Sequence, residues 1–399
     1  MKTVEKSSSL VLILSLVVLL ICMKSCHGHS HVRRVLLNNQ TDSYAVIFDA
    51  GSRVYVFRFS HNLDLLPIDN SLQVYDKIKP ELSAYANDPK AAAKSSEPLL
   101  LKAESVVPIK LQPDTPVELG VALNYLLRTL GKGYKNTAAT IDLGGGSVQM
   151  AFALSKENAE KAPLNIDGEK YILQKSLMGA NYYLYVHSYL NYGLLAARAE
   201  ILKISRNSTS SCILKGTNGY YTYGGVAYKA SPTPKGSSFR KCRRIVRKAL
   251  KLNEPCKYQN CTFHGVWNGG GVDGFKTLYI SSFFFEMAYW VDIVDPKASS
   301  GKAKPIQYLS AAKIACKLKA KEVKSMFPNV DSKDLPYLCM DMLYQFTLLV
   351  DGFGLDPYRE ITLVHDVNYK NNRVEAAWPL GCAIDVVSSS FSRSRISSS

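Results

Sequence analysis

One short plan occurs twice in this chain: an apolar strand that stops at Asp-x-Gly, a serine, and a second strand. Tyr44-Ala-Val-Ile-Phe runs into Asp49-Ala-Gly-Ser, and Arg53-Val-Tyr-Val-Phe-Arg-Phe follows with the period-two alternation of a half-buried strand. Thr137-Ala-Ala-Thr-Ile runs into Asp142-Leu-Gly-Gly-Gly-Ser, and Val148-Gln-Met-Ala-Phe-Ala follows. The two aspartates stand 142 − 49 = 93 residues apart, a domain-like separation. Either hairpin alone reads as an ordinary turn; the repeat argues for two facing copies of one device.

The rest of the chain sets the frame for that repeat. Its 399 residues exceed what one hydrophobic core organises, so two domains are expected. Lys2 and Lys6 precede a largely apolar run, Leu10 to Cys22, which reads as a cleaved signal peptide or, alternatively, a signal anchor that holds the protein to a membrane. Either would send the chain into the secretory pathway, extracellular or facing the lumen or outside. Residues 1–30 are then the targeting segment, 31–43 a linker and 44–153 a first lobe carrying both hairpins. Residues 154–364 form a second lobe that holds the cysteines, 365–387 a return segment packing on the first lobe, and 388–399 a flexible tail. Helical spacing is read over Asp88–Leu101, Val121–Leu130 and Tyr182–Glu200. Beyond the targeting region seven cysteines remain, and Cys382, in an apolar stretch, is left out of pairing. Asn39, Asn207 and Asn260 begin glycosylation triplets.

A net charge of +16 favours anionic partners such as nucleotides, acidic polysaccharide or a membrane surface. Much of it lies between Lys235 and Lys251, a stretch with eight basic residues and no acidic one. There Ile245 with Ala249, and Val246 with Leu250, mark the apolar face of a helix. That helix is a solvated surface element or, alternatively, a target for a calmodulin-type partner or an anionic surface. A targeting segment disfavours nucleic acid as a partner. No Cys/His spacing suggests zinc.

A strand stopping at Asp-x-Gly presents backbone N–H groups at the hairpin tip, and glycine lets a phosphate approach where a Cβ would obstruct it. The aspartate at the strand end holds a divalent cation, usually through water. The site residues are therefore Asp49, Gly51 and Ser52 on one hairpin and Asp142, Gly144, Gly145, Gly146 and Ser147 on the other, with Gln149 and Ser147 orienting a water. A duplicated clamp of this kind resembles the actin-like ATPase superfamily.

The wording of the motifs resembles the plant apyrases of the nucleoside triphosphate diphosphohydrolase family more closely still. The segments are Ala45-Val-Ile-Phe-Asp-Ala-Gly-Ser, Ile141-Asp-Leu-Gly-Gly-Gly-Ser-Val-Gln-Met-Ala, Tyr185-Val-His-Ser-Tyr-Leu, Gly265-Val-Trp-Asn-Gly-Gly-Gly-Val-Asp-Gly, Tyr337-Leu-Cys-Met-Asp and Ala377-Trp-Pro-Leu-Gly-Cys-Ala-Ile-Asp. The resemblance implies a two-lobed α/β actin-like (ribonuclease-H-like) fold with a nucleotide cleft between the lobes. It also implies hydrolysis of nucleoside tri- and diphosphates, ATP and ADP, with Ca²⁺ or Mg²⁺. Asp49 and Asp142 would hold the cation through water, Gly144 to Gly146 would bind phosphate, and Ser147 with Gln149 would place the attacking water. Ser52 and Arg53 would face the terminal phosphate. Gly269 to Gly271 and Asp273 match the last signature region, near which Phe284 and Phe285 would stack the base. Family pairing would join Cys256 to Cys261 and Cys316 to Cys339, leaving Cys212 with Cys242.

Two departures touch the chemistry. The family's first phosphate loop reads Asp-Ala-Gly-Ser-Thr-Gly-Ser-Arg, whereas here Ser52 runs directly into Arg53. After Thr115-Pro-Val-Glu-Leu-Gly the family continues into a segment whose glutamate is the general base, whereas here Gly120 is followed at once by Val121-Ala-Leu-Asn-Tyr. No residue matches that glutamate; Glu104 and Glu118 lie outside the motif. A positioned base contributes ~10²–10⁴-fold. The alternative to an impaired enzyme is therefore a catalytically dead nucleotide- or carbohydrate-binding protein on the same scaffold.

Overall fold

The computed structural model describes residues 42–49, 53–79, 98–99, 102, 123–164, 171–205, 209–270, 277–295, 297–375, 380, 383–384 and 387. The expected targeting segment and tail, the linker up to residue 41, nearly all of the expected Asp88–Leu101 helix, and Cys382 lie outside them. The chain divides into two compact units. The first takes its described residues from before Gly131, from Ser176–Gly179 and from Val367 onward, and the second from Gly131–Lys175 and Ala180–Asp366. The boundary at Gly131 differs from the expected one after Ala153: the second Asp-x-Gly hairpin is hydrogen-bonded into the central sheet of the second unit.

In the first unit β1 (Ser43–Asp49) runs antiparallel to β2 (Arg53–Phe59), from Ser43 opposite Phe59 to Asp49 opposite Arg53. Strands β3 (Leu65–Leu66) and β4 (Val74–Lys77) pair with the other edge of β2. As the middle strand, β2 is buried at Val54–Phe57 and Phe59, on both faces rather than the one its alternation suggested. The expected Val121–Leu130 helix ends early: among the described residues α1 covers Leu123–Leu126. It is closed by Arg128 at φ 55° and by the N–H groups of Thr129 and Leu130, which bond back to the Asn124 carbonyl. The Tyr125 hydroxyl of α1 donates to the Leu63 carbonyl at 2.7 Å, accepts from the Leu65 N–H at 2.9 Å, and lies 3.0 Å from the Tyr369 hydroxyl. Tyr369 belongs to the hairpin of β14 (Asp366–Tyr369) and β15 (Asn372–Glu375), whose tip residues Lys370 and Asn371 both have positive φ, as a two-residue type I′ turn requires.

The second unit is built on a seven-stranded sheet in the order β12-β13-β11-β5-β6-β8-β7. Its strands are β5 (Ala139–Leu143), β6 (Ser147–Leu154), β7 (Ile172–Leu177), β8 (Ala180–Leu190), β11 (Leu278–Ser282), β12 (Ser300–Ala303) and β13 (Ile361–Val364). A separate two-stranded ribbon joins β9 (Tyr220–Tyr223) to β10 (Val226–Lys229). The helices are α2 (Lys156–Glu160), α3 (Leu194–Ile204), α4 (Phe239–Ala249), α5 (Phe283–Trp290), α6 (Pro305–Ala315), α7 (Ala320–Met326) and α8 (Leu338–Thr347). All ten residues of α8 are buried, so it forms the spine of the core. Among the described residues no helix is long and apolar enough to cross a membrane.

Tyr182–Leu190, expected as helix, is strand β8. Tyr182, Tyr185 and Tyr189 are the buried positions, and this three-to-four spacing imitates a helix face. Aromatic and β-branched side chains favour an extended chain, and an eight-residue ladder against β6 fixes it. The basic stretch forms a helix as expected: α4 buries Cys242, Val246 and Ala249. Disulfides join Cys212–Cys242, Cys256–Cys261 and Cys316–Cys339, the pairing the resemblance implied.

Candidate active site

The site in the second unit is built at the turn between β5 and β6. Strand β5 lies in mid-sheet, antiparallel to β6 and parallel to β11, so Asp142 sits opposite Gln149 on one side and Ser281 on the other. The Ser281 and Ser282 hydroxyls both donate to Asp142 Oδ1, at 3.0 and 2.5 Å. These bonds fix the carboxylate near the end of β5, beside the turn. Neither serine was identified from sequence. Their register with Asp142 comes from parallel pairing across 139 and 140 residues, which no local pattern encodes.

The glycine loop is anchored by the start of α3. The carbonyl of Gly144 accepts from the Leu194 N–H at 2.9 Å, that of Gly145 from Leu195 and Ala196, each at 3.0 Å, and that of Gly146 from Asn191 at 2.8 Å. With its carbonyls turned to the helix, the loop leaves the Gly145 and Gly146 N–H groups without a partner among the described residues. Adjacent free N–H groups at a hairpin tip form an anion-binding concavity. None of the three glycines has positive φ, so the residue type serves approach to the backbone rather than a special conformation. Gly193 is different: a Cβ there would lie 2.4 Å from the Gly145 carbonyl carbon and from the Ser147 nitrogen.

Ser147 and Gln149 project from the same face of β6. The Gln149 amide donates to the Ser147 hydroxyl and, at 3.2 Å, to that of Ser188. Its carbonyl oxygen has no partner among the described residues and is an acceptor able to orient a water. Tyr223, in β9, was also missed by sequence reading: its hydroxyl lies 3.4 Å from where a Gly146 Cβ would stand. Burial raises the Tyr223 pKa, which keeps the phenol protonated and able to donate.

The other expected residues are placed as follows. Asp49 ends β1 opposite Arg53 in the first unit, while Gly51 and Ser52 lie outside the described residues. Gly269 and Gly270 both have positive φ, and a Cβ on Gly269 would strike the Phe152 ring at 2.3 Å, so this part of the signature serves packing. Gly271 and Asp273 are outside the described residues. Phe284 and Phe285 correct the sequence reading: on α5 they are 0% and 4% exposed, and Phe284 packs edge-on to Tyr308. Their rings are committed to the core, which leaves no face for a base.

Among the described residues no group of three His, Cys, Asp or Glu side chains could enclose a metal ion. A lone carboxylate braced by two hydroxyls at a phosphate loop does fit a hydrated divalent cation, which keeps most of its waters.

A glycine-rich hairpin turn on a mixed sheet in one unit, and another unit drawn from both ends of the chain, define an actin-like ATPase fold. The similarity to a solved structure titled nucleoside triphosphate hydrolases, from Neospora caninum, agrees in fold: TM-score 0.51 at 10% identity, over 91% of this chain and 95% of that one. The chain belongs to the GDA1/CD39 (nucleoside phosphatase) family, whose profile matches residues 35–122 and 120–399. Among curated proteins it is similar to the apyrase of Solanum tuberosum, 52% identical over 94% of each chain. It is also similar to the nucleoside-triphosphatase of Pisum sativum, 45% identical over 89% of this chain and 90% of that one.

Proposed function

We propose that this chain hydrolyses nucleoside tri- and diphosphates, releasing phosphate from the terminal position. The observation that carries the reading is the β5–β6 turn. Free N–H groups of Gly145 and Gly146 lie beside a braced Asp142, and Gln149 is oriented by Ser147 and Ser188. The loop N–H groups bind phosphate oxygens, the Gln149 oxygen accepts a hydrogen bond from the attacking water and orients it, and Asp142 would hold a hydrated Ca²⁺ or Mg²⁺. When bound, such a cation neutralises polyphosphate charge and favours displacement. Water oxygen bonds to the terminal phosphorus as the anhydride bond breaks, the shortened nucleotide leaves with the electron pair, and the water's proton passes to a phosphate oxygen or to solvent. The names of the apyrase and nucleoside-triphosphatase relatives support this reading.

The family profile matches in two segments that meet at Gly120–Val121, where the sequence resemblance lacks the segment with the general base. Turnover is accordingly expected to be slow, and a nucleotide-binding protein without turnover is the second reading. Phosphate release from ATP and ADP, measured with calorimetric nucleotide binding, separates them. Turnover abolished by chelation and by Asp142→Asn supports hydrolysis; binding with no phosphate release above that variant overturns it. The three disulfides support residence in an oxidising compartment of the secretory pathway.

A further inference from the structure

Away from the β5–β6 turn, the second unit carries a groove of about 950 Å³ between the start of α4 and the end of α6. Five cations line it: Lys235, Arg240 and Lys241 on one wall and Lys313 and Lys317 on the other. All five are exposed, and among the described residues no carboxylate pairs with any of them. This is a local choice. Arg243 and Arg247, on another side of the same helix, both pair with Asp351. The walls are fixed: the Cys212–Cys242 disulfide holds α4 down, Cys316–Cys339 fastens the end of α6, and the Ser237 hydroxyl donates to the Cys316 carbonyl at 2.9 Å. A rigid frame thus holds like charges together with nothing to neutralise them.

The start of α4 adds to this field. Ser238, its N-cap, makes no side-chain capping bond, and the first turn holds no acidic residue but Arg240 and Lys241. Positive side chains at the positive end of a helix oppose its dipole, an arrangement that an anion in the groove would relieve.

We infer that this groove binds an acidic oligosaccharide, a chain of uronate or sulfated sugars. The cations match carboxylate or sulfate groups. The Thr233 and Ser237 hydroxyls, which spend their protons on the Gly236 and Cys316 carbonyls, present oxygen acceptors to sugar hydroxyls. A bilayer is a poorer fit, because the cations line a concave groove rather than a flat patch.

The test is calorimetric titration of the full-length protein with a galacturonate decamer at low ionic strength, beside a neutral maltodextrin and phosphatidylserine vesicles. Binding of the uronate oligomer, weakened by salt and absent for maltodextrin, is expected. It should fall at least ten-fold in the variant carrying Lys235→Gln, Arg240→Gln, Lys241→Gln, Lys313→Gln and Lys317→Gln, with ATP hydrolysis and melting temperature retained. A charge-matched variant with Lys132, Lys135, Lys156, Lys161 and Lys302 changed to Gln reports whether net charge alone acts. No uronate binding, an equal loss in both variants, or binding confined to the vesicles overturns the proposal.

Discussion

Gly193 is the residue on which the glycine loop most directly rests. Gly193→Ala introduces a Cβ 2.4 Å from loop backbone on two sides, so either the loop or the start of α3 must move. The expected outcome is a fall in kcat of ~10²-fold, the scale of a misplaced reacting group, with the second-unit fold retained by circular dichroism. Gln149→Ala, which removes the water's acceptor and leaves the loop untouched, should lower kcat by ~10²-fold or more with little change in nucleotide affinity. His187 gives a separate readout of stability. Burial, with a smaller contribution from His264, lowers its pKa to about 4. An unfolded imidazole titrates near 6.5, so between pH 6.5 and 4 the unfolded chain binds more protons and stability falls as pH falls. His187→Phe keeps an aromatic ring against Tyr171 and Tyr189 and should flatten that slope in denaturant titrations. At this scale the sequence could nominate Asp142, Ser147 and Gln149 together, because they share one continuous motif. Ser281, Ser282 and Ser188 were hidden, because only strand pairing brings them to the same carboxylate and amide.

Among the elements, α3 and α8 are joined by a buried charge network. Arg198 of α3 donates through Nε and Nη2 to both oxygens of Asp341, at 2.9 and 2.7 Å, and through Nη1 to Asp334 at 2.7 Å. Its guanidinium also lies 4.6 Å from the Tyr337 ring centre. Arg198→Met would strand two buried carboxylates, so a loss of ~3–5 kcal/mol in chemical denaturation is expected. Because α3 holds the glycine loop, turnover should fall with it. The doubled hairpins were readable because each begins with an apolar run that meets its own Asp-x-Gly and is followed by a second strand. Strand β8 was not: three tyrosines at helical spacing gave the wrong period, and the ladder to β6 that decides the matter joins residues from 183 − 154 = 29 to 190 − 147 = 43 positions apart, beyond any local window.

For the whole molecule, the two-unit organisation followed from chain length and the repeated motif, but the boundary did not. Sequence grouped both hairpins in one lobe, since they are neighbours along the chain, whereas sheet pairing assigns Asp142 to the unit that contains β11 and β13. A prediction at this scale concerns the segment absent at Gly120–Val121. Grafting the corresponding stretch of the potato apyrase at that junction should raise phosphate release by ~10²-fold or more if a general base is what turnover lacks. Unchanged turnover would place the limit elsewhere. The division of the chain also orders its biogenesis. A ribosome that has just delivered Asp366 has supplied every residue of one unit, while the other still awaits Tyr369, the partner of Tyr125. The earlier-begun unit is therefore the later-completed one, and a premature stop shortly before Val367 would release a chain whose first-made strands have no finished body to join.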